Sequence, residues 1–330
     1  MPGYPPAVAR TRLRRSDLRA PGIRRTRRGR GFSYTAPGGE RLTDAETAER
    51  IKDLVIPPAW RDVWICPHPN GHIQAVGTDD AGRRQYLYHE QWRRDRDEEK
   101  HDRVLAMARR LPEWRAEVER DLGGRGLTRE RVPAAALRIL DRGIFRTGGE
   151  ECAEENGTHG VATLLREHAH VSGDECRFRY VAVRDPAPAK VVRSLLRRRS
   201  GGDRLPAYRS GRDWHDVHAA DINERFKELA GDDCTAKDLR TWTATVLAAA
   251  APPTSESARK RAEARVMREV SEALGTTPAV CRSSYVDPRL VTAYRDEHTI
   301  AAALGRVTSL EGDDARGVLE KACARSPRRY

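Results

Sequence analysis

The order of apolar and polar positions divides the chain before any residue is considered for chemistry. Residues 1–31 mix Pro, Gly and Arg with no hydrophobic period, which predicts a disordered basic arm. Beyond Phe32, Thr43-Asp-Ala-Glu46 forms a capping box ahead of Ala48, Ile51 and Leu54, so a helix is predicted over 44–54, stopped by Ile56-Pro57-Pro58. The period then changes from 3.6 to 2. Asp62-Val-Trp-Ile-Cys66, His72-Ile-Gln-Ala-Val76 and Arg84-Gln-Tyr-Leu-Tyr88 are short β-rich runs separated by Pro69-Asn70-Gly71 and Asp79-Asp80-Ala81-Gly82, and they predict a small antiparallel sheet.

From Asp95 the pattern turns helical. Val104, Leu105, Met107, Ala108, Leu111, Trp114 and Val118 make one apolar stripe that ends at Gly123-Gly124, and Thr128 to Ile144 gives a second helix. His170 to Val183 alternates like a β-hairpin, with Gly173-Asp174 near its turn. Helical spacing returns at 186–198, 215–230, 235–250, 255–274 and 287–296, and the last thirty residues show little periodicity. The predicted class is α+β: an arm at 1–31, a β-rich N-terminal domain at 32–95, a mainly helical domain at 96–296, and a tail at 297–330. A β module joined to a larger helical domain suggests a bilobed clamp.

Charge alters this picture less than its total suggests. The 330 residues carry 61 Lys plus Arg against 49 Asp plus Glu, a net charge of +12. Ten arginines and Asp17 place +9 of that in residues 1–31, so the rest of the chain is close to neutral and a nucleic-acid partner has to be argued from the body. No run of eighteen apolar residues suggests a membrane span, and the Arg-rich start lacks the apolar core of a secretory signal, so the expected compartment is the cytoplasm. The six cysteines are widely spread with no zinc-site spacing, and His215 with His218, at i and i+3 of a predicted helix, does not complete a metal site. No metal or other cofactor is implied.

Candidate chemistry gathers in three places. Tyr285 lies between a Pro-started turn and a new helix, in Gly275-Thr-Thr-Pro-Ala-Val-Cys-Arg-Ser-Ser-Tyr285, where a phenol can project into a cleft. Lys237 and Arg240, in Lys237-Asp-Leu-Arg240-Thr-Trp242, share one face near the start of a helix. Cations there oppose the helix dipole, so local stability does not explain them and anion binding does. Arg146 ends a helix in Phe145-Arg-Thr-Gly-Gly149, ahead of Glu155-Asn156-Gly-Thr158-His-Gly160-Val-Ala-Thr163-Leu164.

Together these segments resemble the bacterial, poxvirus-like type IB DNA topoisomerases. Ile56-Pro-Pro-Ala-Trp60, Asn70-Gly-His-Ile-Gln74 and Arg84-Gln-Tyr86-Leu-Tyr88 are similar to that family's small domain, and the resemblance runs from about 32 to 296. It implies the fold class of type IB topoisomerases and tyrosine recombinases, closed as a clamp on duplex DNA, with action as a monomer at the nucleoid. It implies that Tyr285 attacks a phosphodiester to give a 3′-phosphotyrosyl link, that Arg146 and Arg240 hold the phosphate oxygens, and that Lys237 supports cleavage. Tyr86, Tyr88, Arg84 and Arg282 would contact DNA. The link is resealed by the freed 5′-hydroxyl, so supercoils relax without ATP or Mg²⁺.

Two positions depart from the family pattern. Thr276 stands where a transition-state His or Asn is found, and a hydroxyl can still donate one hydrogen bond to phosphate. The family's general-acid lysine sits at a hairpin tip, usually in Gly-Lys-Ser-Gly; here Cys176-Arg-Phe-Arg-Tyr180 runs directly into Val181-Ala-Val-Arg184, and none of the seven lysines lies on the hairpin. A guanidinium is a poor proton donor, so slowed cleavage is expected. Two other readings stand beside the topoisomerase: a DNA-binding paralogue with impaired catalysis, supported by the missing lysine, and a tyrosine recombinase, which usually has His where Lys237 stands.

Overall fold

The computed structural model describes residues 11–143, 145–149, 159–179, 181–250, 259–295, 300, 303, 305 and 313–325. The chain divides into two compact units, Met1–Lys100 and His101–Tyr330. The division falls five residues beyond the boundary expected at 95.

The N-terminal unit is a five-stranded antiparallel sheet in the order β2-β1-β3-β4-β5, with β1 Ile23–Arg28, β2 Gly31–Thr35, β3 Arg61–Ile65, β4 Ile73–Thr78 and β5 Arg84–Tyr88. Helix α1, Ala45–Asp53, starts at Asp44, whose carboxylate accepts the Thr47 N–H at 2.8 Å. Its Ile51 joins Ile23, Val63, Ile65 and Ala75 in a core on one side of the sheet. Because side chains alternate across a strand, Arg84, Tyr86 and Tyr88 fall on the other side, all exposed.

The disordered arm is corrected by this sheet over residues 11–31, residues 1–10 lying outside the described residues. Within it, β1 lies between β2 and β3, and Arg14 makes a bridge to Gly71. An inward-facing arginine hid the strand from a pattern search. Arg25 donates to the carbonyls of Ile56, Pro57 and Trp60 at 3.2, 3.0 and 2.7 Å and lies over the Phe32 ring at 4.2 Å. The Pro57-Pro58 loop, whose prolines have no N–H to give, is thus held through its carbonyls.

The larger unit is built on helices. Helix α2, Glu90–Leu122, begins earlier than the predicted Asp95 and buries the expected stripe from Val104 to Val118. It shares one core with α3 (Arg131–Gly143), α4 (Pro186–Leu196), α5 (Ala219–Ala230) and α6 (Ala236–Ala249), around Trp114, Leu137, Phe226, Leu239 and Trp242. A second core joins α6 to α7 (Arg259–Leu274) and α8 (Pro278–Ser284) through Ala244, Ala248, Met267, Val270 and Cys281, and α9, Pro288–Arg295, follows. The predicted hairpin is a three-stranded meander of β6 (Ala169–Ser172), β7 (Glu175–Phe178) and β8 (Val181–Arg184).

One further expectation is corrected, and the tail gains an element that the pattern leaves open. The helix predicted from 215 begins only at Ala219: β9 (Ala207–Ser210) pairs with β10 (Asp213–Asp216), placing His215 on a strand and His218 at the cap of α5. The tail contains α10, Asp313–Arg325, whose Leu319 and Cys323 are buried in the main core. Its stripe escaped notice because Arg316 and Glu320 also face inward, where Asp141 and Arg115 meet them. The basic end at 326–330 lies outside the described residues.

Deleting residues 1–31 removes β1 from the middle of the sheet, so amides of β3 should lose hydrogen-exchange protection. Arg25→Ala should keep the sheet but lower the unfolding free energy of the N-terminal unit by about 2–4 kcal/mol in a denaturant titration, since charged donors to carbonyls are lost. An unaltered β3 in the deletion would show that the arm is dispensable.

Candidate active site

Three segments of the larger unit converge on Tyr285. The first is the start of α6. Thr235 and Asp238 close its N-terminus reciprocally, the Asp238 carboxylate accepting the Thr235 N–H at 2.8 Å and its hydroxyl at 3.2 Å. Arg103 of α2 approaches the same carboxylate at 3.3 Å. With the first turn fixed, Lys237 points to solvent, and Arg240, one turn on, is carried inward until only 5% of it is exposed.

The Arg240 guanidinium donates to the Leu274 carbonyl at the end of α7 and lies 5.2 Å from the centre of the Tyr285 ring, with a hydrogen bond to that side chain. Burial lowers its pKa from the ordinary arginine value. Tyr285 opposes that shift and the charge of Arg146 adds to it, which places Arg146 and Tyr285 in the same electrostatic site. An arginine stays charged under such pressure, so the site holds a local excess of positive charge.

Arg146 comes from the second segment. It follows α3 by three residues, and its carbonyl accepts the Val161 N–H at 2.9 Å while that of Thr147 accepts Ala162 at 2.8 Å. Gly148, with φ +88°, lies against the backbone of Gly160 so closely that a Cβ on either would collide with the other. This contact folds the Phe145-to-Gly149 loop onto the Gly160-to-Leu164 run; the Glu155-to-Thr158 part of the motif lies outside the described residues.

The third segment carries the phenol. Thr277 caps α8 by accepting the Val280 N–H at 3.3 Å, and Tyr285 ends that helix, donating its N–H to the Cys281 carbonyl at 3.0 Å. Thr245 of α6 reaches both sides of it: its hydroxyl lies 3.3 Å from the Tyr285 carbonyl and accepts the Asp287 N–H at 3.3 Å. The helix that supplies Arg240 therefore also anchors the tyrosine. Asp287, 2% exposed, is held by Arg289, which extends to Asp102 of α2 at 2.6 Å. Thr245 and Asp287 carry no motif of their own, and the register of α6 against Tyr285 was their only signal.

The other candidates are placed as follows. Thr276 is half-buried in the turn between α7 and α8, its N–H donating to the Ser271 carbonyl at 2.9 Å. Arg282 gives one guanidinium nitrogen to the buried Glu263 of α7. In the N-terminal unit, the rings of Tyr86 and Tyr88 stack at 6.0 Å and Arg84 lies 5.8 Å from the centre of the Tyr86 ring. Strand register extends that face through Val76 and Trp64 to Arg24, two residues the sequence reading missed on β3 and β1.

The family model for the bacterial DNA topoisomerase IB N-terminal domain matches residues 31–79, and that for the eukaryotic DNA topoisomerase I catalytic core matches residues 89–299. DNA topoisomerase 1B of Acanthamoeba polyphaga mimivirus is 28% identical over 287 residues, covering 80% of this chain and 85% of the relative. The catalytic-core match alone spans more than half of the chain and contains Arg146, Lys237, Arg240, Thr276 and Tyr285, so the chain belongs to the type IB DNA topoisomerases, a family of DNA-binding isomerases.

Proposed function

We propose that Tyr285 is the nucleophile of strand cleavage and that Arg240 and Arg146 hold the phosphate it attacks. The observation that carries this is the Arg240 guanidinium over the Tyr285 ring, with the charge of Arg146 at the same place. The phenol oxygen forms a bond to phosphorus as the bond to the 5′-oxygen breaks, leaving a 3′-phosphotyrosyl link and a free 5′-hydroxyl. Religation is the reverse, so bond energy is conserved while the broken strand turns about the intact one. The phosphorane carries more negative charge than the diester, and planar guanidiniums already in place favour it over the ground state. Exposed Lys237, one turn before Arg240, adds a mobile cation to the same face. Thr276 supplies at most one hydroxyl donor. Action as a monomer on the duplex DNA of the nucleoid is part of the same proposal.

Departure of the 5′-oxygen is the weak step. β7 ends at Phe178 and β8 begins at Val181, so two residues link the strands and no lysine stands there. This short link supports attenuated cleavage within the family's reaction, and it is what favours the impaired DNA-binding paralogue as the second reading.

On supercoiled plasmid in EDTA without ATP, the protein should relax DNA, while Tyr285→Phe should only retard it in a gel. Arg240→Ala or Arg146→Ala should slow cleavage about 10²- to 10³-fold. Retardation without relaxation by the parent chain would make it the binding paralogue, and site-dependent strand exchange would make it a recombinase. Inserting Gly-Lys-Ser-Gly between Tyr180 and Val181 should speed single-turnover cleavage by roughly 10²- to 10⁴-fold, and an unchanged rate would remove the hairpin from the explanation. On the sheet, Arg24→Ser and Arg84→Ser should each lower the slope of log affinity against log salt by about 0.9, if each meets one phosphate.

A further inference from the structure

Helix α10 lies beyond the span matched by the catalytic-core family, yet it meets α3, which leads to Arg146, and α6, which carries Arg240. Arg316 and Glu320 stand one turn apart on it and pair at 3.0 Å. Both meet a buried cluster. Asp141, 2% exposed, accepts Arg115 of α2 at 2.9 and 3.0 Å and Arg316 at 2.7 Å, and Glu320 accepts Arg115 at 2.7 and 2.9 Å. Four charges thus close a ring between α2, α3 and α10. Burial acts to raise the Asp141 carboxyl, but Arg316 and Arg115 outweigh it and hold it below the usual carboxylate range.

The place of this ring is what makes it functional. Asp141 belongs to the last turn of α3, five residues before Arg146, and its neighbour Arg142 pairs with Asp185 at 2.9 Å. Phe145, between them and Arg146, meets the edge of Phe178 at 5.2 Å. On its other side α10 packs on α6, Leu319 and Val246 belonging to the same core. Burial pushes the Cys323 thiol up to about 12, and the Asp287 carboxylate adds to that shift, so the end of α10 lies near the residue two beyond Tyr285. Stability does not require this arrangement, since apolar side chains of similar volume often stabilise as well as a buried ion cluster. What charges add is a single geometry in which all of them are satisfied.

We propose that α10 is part of the catalytic framework, with Arg316 and Glu320 as positioning residues that act through Asp141 and Arg115 on the segment carrying Arg146. The proposal rests on the reading of Arg146, Arg240 and Tyr285 as the site. Arg316 is the residue to change, because Asp141 and Glu320 keep Arg115 when it is gone and the fold keeps its core.

The test is a double-mutant cycle on single-turnover cleavage of pre-bound DNA, using Arg316→Met, Arg146→Ala and the pair in the full chain, with DNA affinity and thermal midpoint measured on each. Arg316→Met should slow cleavage about tenfold at unchanged affinity, a loss in keeping with a small misplacement of a catalytic group. In the Arg146→Ala background the same change should cost less than about twofold, because the group it positions is absent. Arg316→Lys, which keeps the charge, should recover most of the rate. Equal losses in both backgrounds, a loss that follows affinity, no loss at all, or a lysine variant as slow as methionine would each overturn the proposal. If Arg146→Ala alone leaves cleavage unchanged, the reading of the site fails first and the proposal falls with it.

Discussion

A permanent charge buried beside a phenol is the constraint from which the rest of the larger unit follows. Arg240 is 5% exposed, and both burial and Arg146 act against its charge. Such a group is tolerable only where its geometry is fixed by neighbours, and the Leu274 carbonyl and the Tyr285 side chain provide this. The result is a pocket of positive charge whose most favourable occupant is an anion, and whose preference rises as that anion gains charge. This matches the electrostatic requirement of phosphoryl transfer that the proposed roles of Arg240 and Arg146 would meet.

Holding arginines in this way needs acids that are not part of the chemistry. Asp238 lies between Lys237 and Arg240 and closes the start of their helix with Thr235 and Arg103. Asp287 lies two residues after Tyr285 and is tied by Arg289. Asp185 caps α4, accepting the Ala187 N–H at 3.0 Å, and takes Arg138 and Arg142 at 2.7 and 2.9 Å. Each of these three carboxylates is thus held by an arginine outside the site. The acids set where backbone segments lie, and they are too fully engaged there to neutralise the cations of the site.

These inward charges also explain what the sequence could and could not reveal. Helix α6 was legible because its cap, its apolar face and its two cations lie in one short run, and Tyr285 because Pro278 and Asp287-Pro288 punctuate its flanks. The stripe of α2 was legible because the residues it buries from Val104 to Val118 are all apolar and helically spaced. Strand β1 and helix α10 were not, since Arg25 on one and Arg316 and Glu320 on the other occupy positions that a hydrophobic pattern reads as outward. Their partners are distant carbonyls and carboxylates that no local window contains. β10 was misread for a related reason: Asp213-Trp-His-Asp216 is a strand defined by its pairing with β9, while its composition continues smoothly into α5. The convergence of Arg146 on Arg240 needed the Gly148–Gly160 contact, which spacing alone does not predict.

The arm at 1–31 shows how far charge has to be separated from location before it means anything. Its arginines supply most of the net +12, and as a flexible tail they would act on DNA as a diffuse cation cloud. Among the described residues of the arm every arginine but Arg25 is exposed. Arg25 faces the loop that it binds and is lost to any ligand, while Arg24, opposite Trp64, joins the exposed face that continues to Tyr86. A flat face of aromatic rings and fixed guanidiniums differs from a tail in the thermodynamics it brings to a duplex, because the ordering entropy has been met in folding and is not charged again on binding. The same arginine-rich stretch therefore both builds the N-terminal unit and, on the proposed reading, equips it, Arg25 serving the fold while Arg24 stays exposed.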